Sequence, residues 1–392
     1  MTMDTMSDHS SEAAAEALTE TKPFHPNPSD EPPTRYGIIG TGMMGQEHIR
    51  NIAFLENAEV VAIAEPDEGM RKAAGFLVPD ATAVDSLDAL LHLDGIDALV
   101  IASPNHLHVG QMQDIASRRA LPLLVEKPVY TDPSHTAQLA EFAARYPALV
   151  WVAMEYRYMP PIASFLSRVH EETGGIKMLS IKEHRFPFLE KVGDWNRFSR
   201  NTGGTMVEKC CHFFDLMRLA IQSEPVRVMA SAGQAVNHLD ETYGGEVPDI
   251  WDHGYVIVDF ESGARGMLEL CMFADGSRYQ EEICAVGPQG KIEAFVPGPT
   301  RFWPAQLGTP PVAKVIVSPR DPKGPMELDI PVDEDLLEAG DHNGATFYQH
   351  QLFLEAIRHG RQPAVSLADG AAAVQMGMAA QESARTGQAV RL

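Results

Sequence analysis

The sequence predicts an α/β protein with two folded domains: an N-terminal domain built on a parallel sheet, and a C-terminal α/β domain built on a mainly antiparallel sheet. Its 392 residues exceed the roughly 250–300 residues at which a single hydrophobic core stops growing. In the first half, short apolar runs alternate with helix-length segments, which is typical of βαβ units. In the second half the apolar runs are longer, several alternate polar and apolar residues, and short turns join some of them.

Residues 1–33 differ in composition from the rest and are predicted to form a disordered acidic tail. They hold seven acidic residues and one basic residue, Lys22, and they end in the proline-rich stretch 23–33. The whole chain carries a formal charge of −23. Because such a chain repels nucleic-acid phosphates and anionic membranes, neither is expected as a partner, and a small molecule or another protein is expected instead.

The N-terminal sheet is predicted from five short apolar runs without polar alternation. Strands that helices cover on both faces have this composition. The last run ends just before Glu155, which predicts a domain boundary there and domains over residues 34–155 and 156–392. The five runs are Tyr36–Ile39, Val60–Ala64, Ala98–Ala102, Leu123–Val125 and Leu149–Ala153.

The C-terminal domain is predicted from longer runs and four helices. The short turn 261–264 connects two neighbouring runs, which is typical of antiparallel pairing. The predicted strands are Ile176–Arg185, Val226–Val236, Gly254–Phe260, Arg265–Phe273 and Glu282–Val286, and the predicted helices are Pro161–Glu172, Thr205–Ile221, Ala345–His359 and Leu367–Thr386.

The four cysteines and the N-terminal sequence indicate the compartment. The cysteines show neither a CxxC spacing nor a disulfide framework, so we interpret them as reduced thiols. No apolar run reaches membrane-spanning length, and the N-terminus lacks the pattern of a secretion signal. We therefore expect a cytoplasmic protein. The cysteines are Cys210, Cys211, Cys271 and Cys284.

A glycine-rich turn follows the first predicted strand. Residues 40–45 fit the G-x-G-x-x-G fingerprint of dinucleotide-binding Rossmann domains, and a helix is predicted from this turn to about Asn57. The first glycine permits the tight turn, the second lets the backbone approach a pyrophosphate, and the third lets the helix pack on the strand. The predicted cofactor-binding residues of the turn are Gly40, Thr41, Gly42, Met43, Met44 and Gly45.

The second predicted strand ends in the acidic residue that such a domain needs. Glu65 follows Gly45 by 20 residues, where a carboxylate binds the hydroxyls of the adenosine ribose. Because a carboxylate repels the 2′-phosphate of NADP, NAD is favoured as the cofactor. Arg71 lies one helical turn further on and could bind that phosphate, so NADP is the less favoured alternative.

Two further strand ends point to the same crevice. Residues 103–106 follow one strand and residues 126–128 follow the next, and open α/β sheets bind ligands at the carboxyl ends of their strands. His106 and His108 lack further ligands at a suitable spacing, so no metal site is predicted, and we interpret them as helix-start residues with Asn105 as the cap. The predicted cofactor-binding residues here are Ser103, Asn105, His106, Glu126 and Lys127.

Together these motifs resemble one family. The fingerprint, Ser-Pro-Asn-His at 103–106, Glu-Lys-Pro at 126–128, Tyr-Arg-Tyr-Met-Pro at 156–160 and a Gly-Gly-led helix are similar to the glucose-fructose oxidoreductase / inositol dehydrogenase (Gfo/Idh/MocA) family. The resemblance covers about residues 35–392. It implies a large open C-terminal sheet used for oligomerisation, as a homodimer or homotetramer, and hydride transfer between one carbinol of a sugar or cyclitol and NAD(P).

The resemblance also implies residue roles. The lysine of the family's Glu-Lys-Pro motif corresponds to Lys127, commonly before a cis proline. The family's D-x-G-x-H-x-x-D helix corresponds to residues 208–215, in which His212 and Asp215 match, whereas Glu208 replaces Asp and a cysteine replaces Gly. The predicted catalytic residues are therefore Lys127, His212 and Glu208.

The chemistry of these residues supports the same assignment. Glu208, His212 and Asp215 stand at i, i+4 and i+7 of the predicted helix and would share one face. A histidine can accept a hydroxyl proton near neutral pH, and a lysine cation can hold the same oxygen. Thr205 and Glu208 also fit a capping box, so Glu208 could start the helix, take part in catalysis, or do both.

Aromatic and basic residues near the domain boundary are predicted to bind a polyol substrate. The predicted function is hydride transfer between nicotinamide and a carbinol of a sugar, anhydrosugar or cyclitol. An NAD-dependent glycoside hydrolase of the same fold and a non-catalytic dinucleotide-binding sensor are the alternatives. The predicted substrate-binding residues are Lys127, Tyr156, Arg157, Trp195, Arg197, Glu208 and His212.

Overall fold

The computed structural model describes residues 32–392, so the predicted disordered tail lies outside the described residues except for its last two positions. Within this range the chain forms a six-stranded parallel sheet and a nine-stranded mixed sheet, both packed with helices. The predicted fold class is thereby confirmed. None of the helices in this range is both long and apolar enough to cross a bilayer.

The strands of the described region are β1 (Thr34–Ile39), β2 (Ala58–Ala64), β3 (Thr82–Val84), β4 (Ala98–Ile101), β5 (Leu123–Glu126), β6 (Val150–Ala153), β7 (Met178–His184), β8 (Pro225–Gly233), β9 (His253–Phe260), β10 (Arg265–Cys271), β11 (Glu281–Val286), β12 (Gly290–Val296), β13 (Lys314–Pro319), β14 (Met326–Asp329) and β15 (Val390–Arg391). The helices are α1 (Met43–Ile52), α2 (Glu68–Leu77), α3 (Leu87–Leu91), α4 (His108–Ala116), α5 (His135–Arg145), α6 (Pro160–Thr173), α7 (Ser199–Thr202), α8 (Thr205–Glu208), α9 (Cys211–Ile221), α10 (Glu334–Ala339), α11 (Ala345–His359) and α12 (Leu367–Thr386). Short 3₁₀ turns connect several of them.

The N-terminal sheet has the strand order β3-β2-β1-β4-β5-β6, and all its neighbouring strands are parallel. Every residue of β4, β5 and β6 is buried, as expected for strands covered on both faces. The chain reverses its winding direction between β1 and β4, and such a point opens a ligand crevice at the carboxyl ends of the strands. The edge strand β3 escaped prediction because it is three residues long and partly exposed.

The C-terminal sheet has the order β14-β13-β12-β11-β7-β10-β9-β8-β15. Its strands pair antiparallel except β7 with β10, which are parallel. Helices α6 and α12 pack on one face, against β12 and β8 respectively. The other face carries exposed Tyr255, Ile257 and Met267, so the sheet is covered on one side only. The strands β12 to β15 were not predicted.

The predicted continuous helix over residues 205–221 is wrong in one respect. It is interrupted at residues 209–210, which separate α8 from α9. The predicted capping box is also absent, because the Thr205 hydroxyl bonds to the backbone of Trp251, donating at 2.7 Å and accepting at 2.9 Å. Gly204, with φ of +87°, starts α8 without a side-chain cap. The predicted helix to about Asn57 is likewise shorter and ends at Ile52.

Candidate active site

The glycine-rich turn between β1 and α1 forms the first wall of the site. Gly40 has φ of +84°, and a Cβ there would lie 2.6 Å from the backbone nitrogen of Ser103. A Cβ on Gly45 would lie 2.0 Å from the carbonyl oxygen of Gly40, whereas one on Gly42 would meet no atom within 4 Å. Packing therefore requires the first and third glycines, and the space beside the second is open to a pyrophosphate at the amino end of α1.

A cleft of about 520 Å³ opens beside this turn. It follows the carboxyl ends of β1, β2, β4 and β5 and reaches the loop before α7. The cleft therefore connects the fingerprint with the predicted catalytic lysine. The predicted site residues in its wall are Gly40, Gly42, Met43, Met44, Glu65, Ser103, Asn105, Glu126, Lys127, Trp195 and Glu208, and those outside its wall are Thr41, Gly45, His106, Tyr156, Arg157, Arg197 and His212.

Glu65 is fixed in the cleft wall at the end of β2. Its carboxylate accepts hydrogen bonds from the backbone nitrogens of Thr41 at 2.7 Å and Asp67 at 3.0 Å. Arg71, the residue that kept NADP open, donates through Nη1 to the carbonyls of Glu65 at 2.5 Å and Pro66 at 3.2 Å. The carboxylate thus faces the cleft, while the guanidinium is engaged with the backbone.

Lys127 lies directly after β5, at the opposite end of the cleft from Glu65. Its Nζ donates to the backbone carbonyl of Glu208 at 3.1 Å, and the interruption between α8 and α9 makes that carbonyl available. Burial alone would lower the pKa of Lys127, but the surrounding acidic groups Cys211, Glu126 and Glu208 outweigh it and raise the pKa above 10.5. Lys127 is therefore a cation at neutral pH.

Glu208 is only 6% exposed, and its Oε2 has no hydrogen-bond partner among residues 32–392. Burial raises the pKa of Glu208, and the positive charges of Lys127 and Lys191 oppose that increase. Lys191 also lines the cleft, from the loop before α7. Lys191 was not predicted from the sequence, because one lysine in a loop carries no pattern.

His212 is buried at the start of α9. Its imidazole stacks on the Tyr156 ring with the centroids 4.0 Å apart and the planes at 9°. Its Nδ1 has no hydrogen-bond partner in the described part of the chain. Burial lowers the pKa of His212 well below 6.5, and the charges of Lys127 and Lys209 lower it further. The ring is therefore neutral at neutral pH and can accept a proton.

Two family models together match most of the chain. The one described as "Oxidoreductase family, NAD-binding Rossmann fold" matches residues 34–154, and the one described as "Oxidoreductase family, C-terminal alpha/beta domain" matches residues 170–392. The chain belongs to the Gfo/Idh/MocA oxidoreductase family. The predicted boundary near Glu155 falls between the two matched ranges. The family resemblance carried by the motifs is confirmed, and most residues that line the cleft lie within the range that matches the NAD-binding Rossmann model.

Two curated relatives align with nearly the whole chain. The D-xylose 1-dehydrogenase (NADP(+)) 2 of Haloferax volcanii is 24% identical over 358 residues, covering 91% of this chain and 99% of that protein. The scyllo-inositol 2-dehydrogenase (NAD(+)) of Bacillus subtilis is 25% identical over 362 residues, covering 91% and 96%. Among solved structures, levoglucosan dehydrogenase in complex with NADH and levoglucosan shares the fold, with a TM-score of 0.74 and 19% identity over 91% of this chain and 98% of that chain.

Two predicted substrate-binding arginines of this Gfo/Idh/MocA protein bond to other parts of the chain. Arg157 donates through Nε and Nη2 to the carboxylate of Asp215, each at 2.5 Å, and through Nη1 to the Ala364 carbonyl. Arg197 is 2% exposed and donates to Glu241 at 3.1 Å. Because their donors are occupied away from the cleft, these contacts favour a structural role for both arginines.

Asn105 does not cap a helix as predicted. It begins a 3₁₀ turn without a side-chain cap, and its buried amide nitrogen has no partner among the described residues. His108 instead bridges the carbonyls of Ser103 at 3.0 Å and Pro128 at 2.9 Å, which ties the ends of β4 and β5 together. Within residues 32–392 no cluster of His, Cys, Asp and Glu side chains is suited to a metal ion.

A buried network behind Glu126 joins the dinucleotide-binding part of the chain to its C-terminal region. His48 on α1 contacts Glu126 through Nε2 at 3.0 Å and His350 on α11 through Nδ1 at 2.8 Å. A second pair joins Glu47 with His342 at 2.7 Å. The His48–His350 and Glu47–His342 contacts link residues 302 and 295 positions apart, and no local motif indicates them.

Proposed function

We propose that this family member transfers a hydride between a nicotinamide dinucleotide and a carbinol of a sugar, anhydrosugar or cyclitol. One observation carries the proposal: a half-buried lysine cation, Lys127, lines the end of the cleft opposite Glu65, and the buried neutral His212 lies close enough for the charge of Lys127 to lower its pKa. Oxidation of an alcohol needs a group to hold the oxygen and a base to take its proton. The names of the relatives, D-xylose and scyllo-inositol dehydrogenases, support polyhydroxylated substrates.

Each residue has a distinct part in this chemistry. A nicotinamide dinucleotide, when bound along the fingerprint and Glu65, supplies the hydride acceptor. Lys127 holds the substrate oxygen and stabilises the negative charge that develops there. His212 accepts the hydroxyl proton on the imidazole. Glu208, whose Oε2 is unpartnered among the described residues, accepts a hydrogen bond from a neighbouring hydroxyl.

NAD is the preferred dinucleotide in this proposal. The Glu65 carboxylate lines the cleft where the adenosine ribose binds, and a carboxylate repels a 2′-phosphate. Arg71 is held by two backbone carbonyls and does not line the cleft. The relatives include one named for each dinucleotide, so the choice rests on Glu65 and Arg71.

The proposed assembly is a homodimer or homotetramer formed through the C-terminal sheet. One face of that sheet leaves Tyr255, Ile257 and Met267 exposed as neighbours on β9 and β10, and a contiguous exposed apolar patch is typical of an interaction surface. We also expect a cytoplasmic location, because all four cysteines are free thiols. Size-exclusion chromatography with light scattering tests the assembly, and a monomer would contradict it.

A panel of sugars, anhydrosugars and cyclitols, assayed in parallel with NAD and NADP, tests the function. The expected result is reduced-nicotinamide absorbance with at least one polyol, with NAD preferred. Release of free sugar from a glycoside without net absorbance change would instead indicate the hydrolase. Dinucleotide binding without turnover on any member of the panel would indicate the sensor.

A further inference from the structure

A cluster of buried charged residues lies behind His212 and outside the wall of the cleft. Lys209 stands in the interruption between α8 and α9, and its side chain is 5% exposed. Glu183 on β7 and Glu281 on β11 are both fully buried. Nothing in the hydride-transfer chemistry described above uses any of the three, yet buried charges are costly unless they are paired or functional.

The side chain of Tyr156 connects Lys209 with His212. Its Nζ lies 2.8 Å from Glu183 Oε1 and donates to the hydroxyl of Tyr156 at 2.5 Å. The Tyr156 ring is the one that lies parallel to the imidazole of His212. A hydrogen bond to the phenol oxygen fixes the position of the far end of the tyrosine side chain, and the ring stacks on the imidazole of His212.

The register of the sheet brings the two carboxyl groups of the cluster together. Glu183 and Glu281 are directly opposite each other on the antiparallel strands β7 and β11. Burial raises the pKa of Glu281 to about 7, and the neighbouring Glu183 contributes to the increase. At neutral pH Glu281 is therefore protonated about half of the time, and Lys209 lies 2.8 Å from the Glu183 carboxylate.

We propose that Lys209 is a positioning residue for the base: braced by Glu183, it holds the Tyr156 ring against His212 and keeps a positive charge close to the imidazole, so that the imidazole stays unprotonated. This inference rests on the proposed role of His212 as the proton acceptor. Lys209 does not line the cleft, and it acts through Tyr156.

Several charged groups face His212, and they come from different elements. Lys127 approaches from the end of β5, Arg185 from the residue after β7, and His342 from the segment before α11. Lys209 and the Tyr156 phenol complete the set. Of the lysines in this set, Lys127 lines the cleft and Lys209 does not, so Lys209 can be changed without altering the cleft wall.

The test removes the cation together with its partner. In K209M/E183Q no carboxylate is left stranded, and the ionisation of His212 is followed by NMR of ¹³C-labelled histidines, with H212N identifying the signal. Relative to E183Q, which has the same loss of negative charge, we expect the pKa of His212 to rise by about one unit in K209M/E183Q, because a unit charge within about 9 Å at an effective dielectric of about 20 contributes an interaction of that order. If the enzyme turns over a polyol, the acid limb of the kcat profile should move upward by the same amount.

A matched control lies one residue along on the same two strands. Lys182 and Glu282 pair at 3.1 Å on the outward face, so K182M/E282Q makes the same chemical change and should leave the His212 titration unaltered. Y156F removes the phenol hydroxyl and keeps the ring, and it should shift the pKa in the same direction by a smaller amount.

A His212 titration unchanged in K209M/E183Q relative to E183Q and unchanged in Y156F, with these proteins folded by circular dichroism, would overturn the proposal. If K209M/E183Q fails to fold, Y156F alone decides. Because the NMR titration needs no substrate, it tests the role of Lys209 even when no polyol is turned over, so failure of the proposed function is seen separately.

Discussion

The two ends of the cleft are built in different ways. At the dinucleotide end, the glycine turn and Glu65 come from one stretch of chain, residues 39–67, and their geometry follows from glycine sterics and from Glu65 bonded to nearby backbone nitrogens. At the other end Lys127 and Glu208 line the cleft, and the stacked pair Tyr156 and His212 lies outside its wall; these four residues come from turns and helices far apart in sequence. The first end depends on backbone shape, whereas the second depends on a balance of buried charges, so the two should fail differently when changed.

The largest effects on activity should come from substitutions of Lys127 and His212. K127A and H212A should each lower kcat by about 10²- to 10⁴-fold, because each removes a group that acts on the reacting hydroxyl. H212A should not change NADH affinity more than slightly, because His212 lies outside the cleft wall, whereas K127A should also weaken NADH binding, because Lys127 lines the cleft. Steady-state kinetics and fluorescence titration with NADH measure the two quantities. Near-normal turnover in both variants would contradict the catalytic assignment.

The buried ion pair between Arg157 and Asp215 should have the next largest effect, on the free energy of unfolding. D215A leaves the Arg157 guanidinium buried without its carboxylate and should reduce the free energy of unfolding by about 3–5 kcal/mol. The exposed pair Arg200–Glu246 offers a control, because E246A should cost less than about 1 kcal/mol. Urea denaturation of both variants measures the difference. Equal losses of unfolding free energy would show that burial does not determine the cost of breaking an ion pair.

At the dinucleotide end, two glycines should separate stability from binding. G45A places a methyl group 2.0 Å from a carbonyl oxygen and should lower the free energy of unfolding by about 3 kcal/mol. G42A meets no protein atom within 4 Å, so it should leave stability nearly unchanged while weakening NADH binding. Thermal melts and NADH titrations distinguish them. A G42A protein that binds NADH normally would argue against a pyrophosphate at this turn.

The smallest expected effect is a pH dependence of stability that arises from His342, which contacts Glu47 and Glu155. Burial would lower the pKa of His342, but Glu155 and Glu47 outweigh it and raise the pKa to about 9. A folded pKa above the unfolded value means that this contribution is fully present below about pH 6.5 and is lost as the pH rises towards 9.

Between pH 7 and 9 the protein should therefore lose about 2 kcal/mol of stability through this histidine. Chemical denaturation at a series of pH values measures the loss. H342Q should flatten the profile in that window, and a profile equally steep in H342Q would assign the loss to another group.

The sequence predicted most where the interactions are local. The fingerprint glycines, the acid at the end of β2 and helices such as Ala345–His359 follow from turn sterics and side-chain periodicity within a few residues. It predicted least where a distant partner decides. The Thr205 hydroxyl is taken by Trp251, so the capping box does not form, and Arg157 is taken by Asp215.

The amino-acid sequence alone is sufficient for the α/β fold class, the dinucleotide turn and the identity of the chemical groups, because these depend on composition and on short-range geometry. Which of those groups meet depends on how the chain packs. In the packed structure the helix is interrupted at Lys209, and the Glu208 carbonyl therefore accepts a hydrogen bond from Lys127. The Tyr156 ring stacks on His212. Strand register placed two carboxylates opposite each other behind them. The ionisation of a buried group is set by its neighbours in space, and these are fixed only when distant parts of the chain come together.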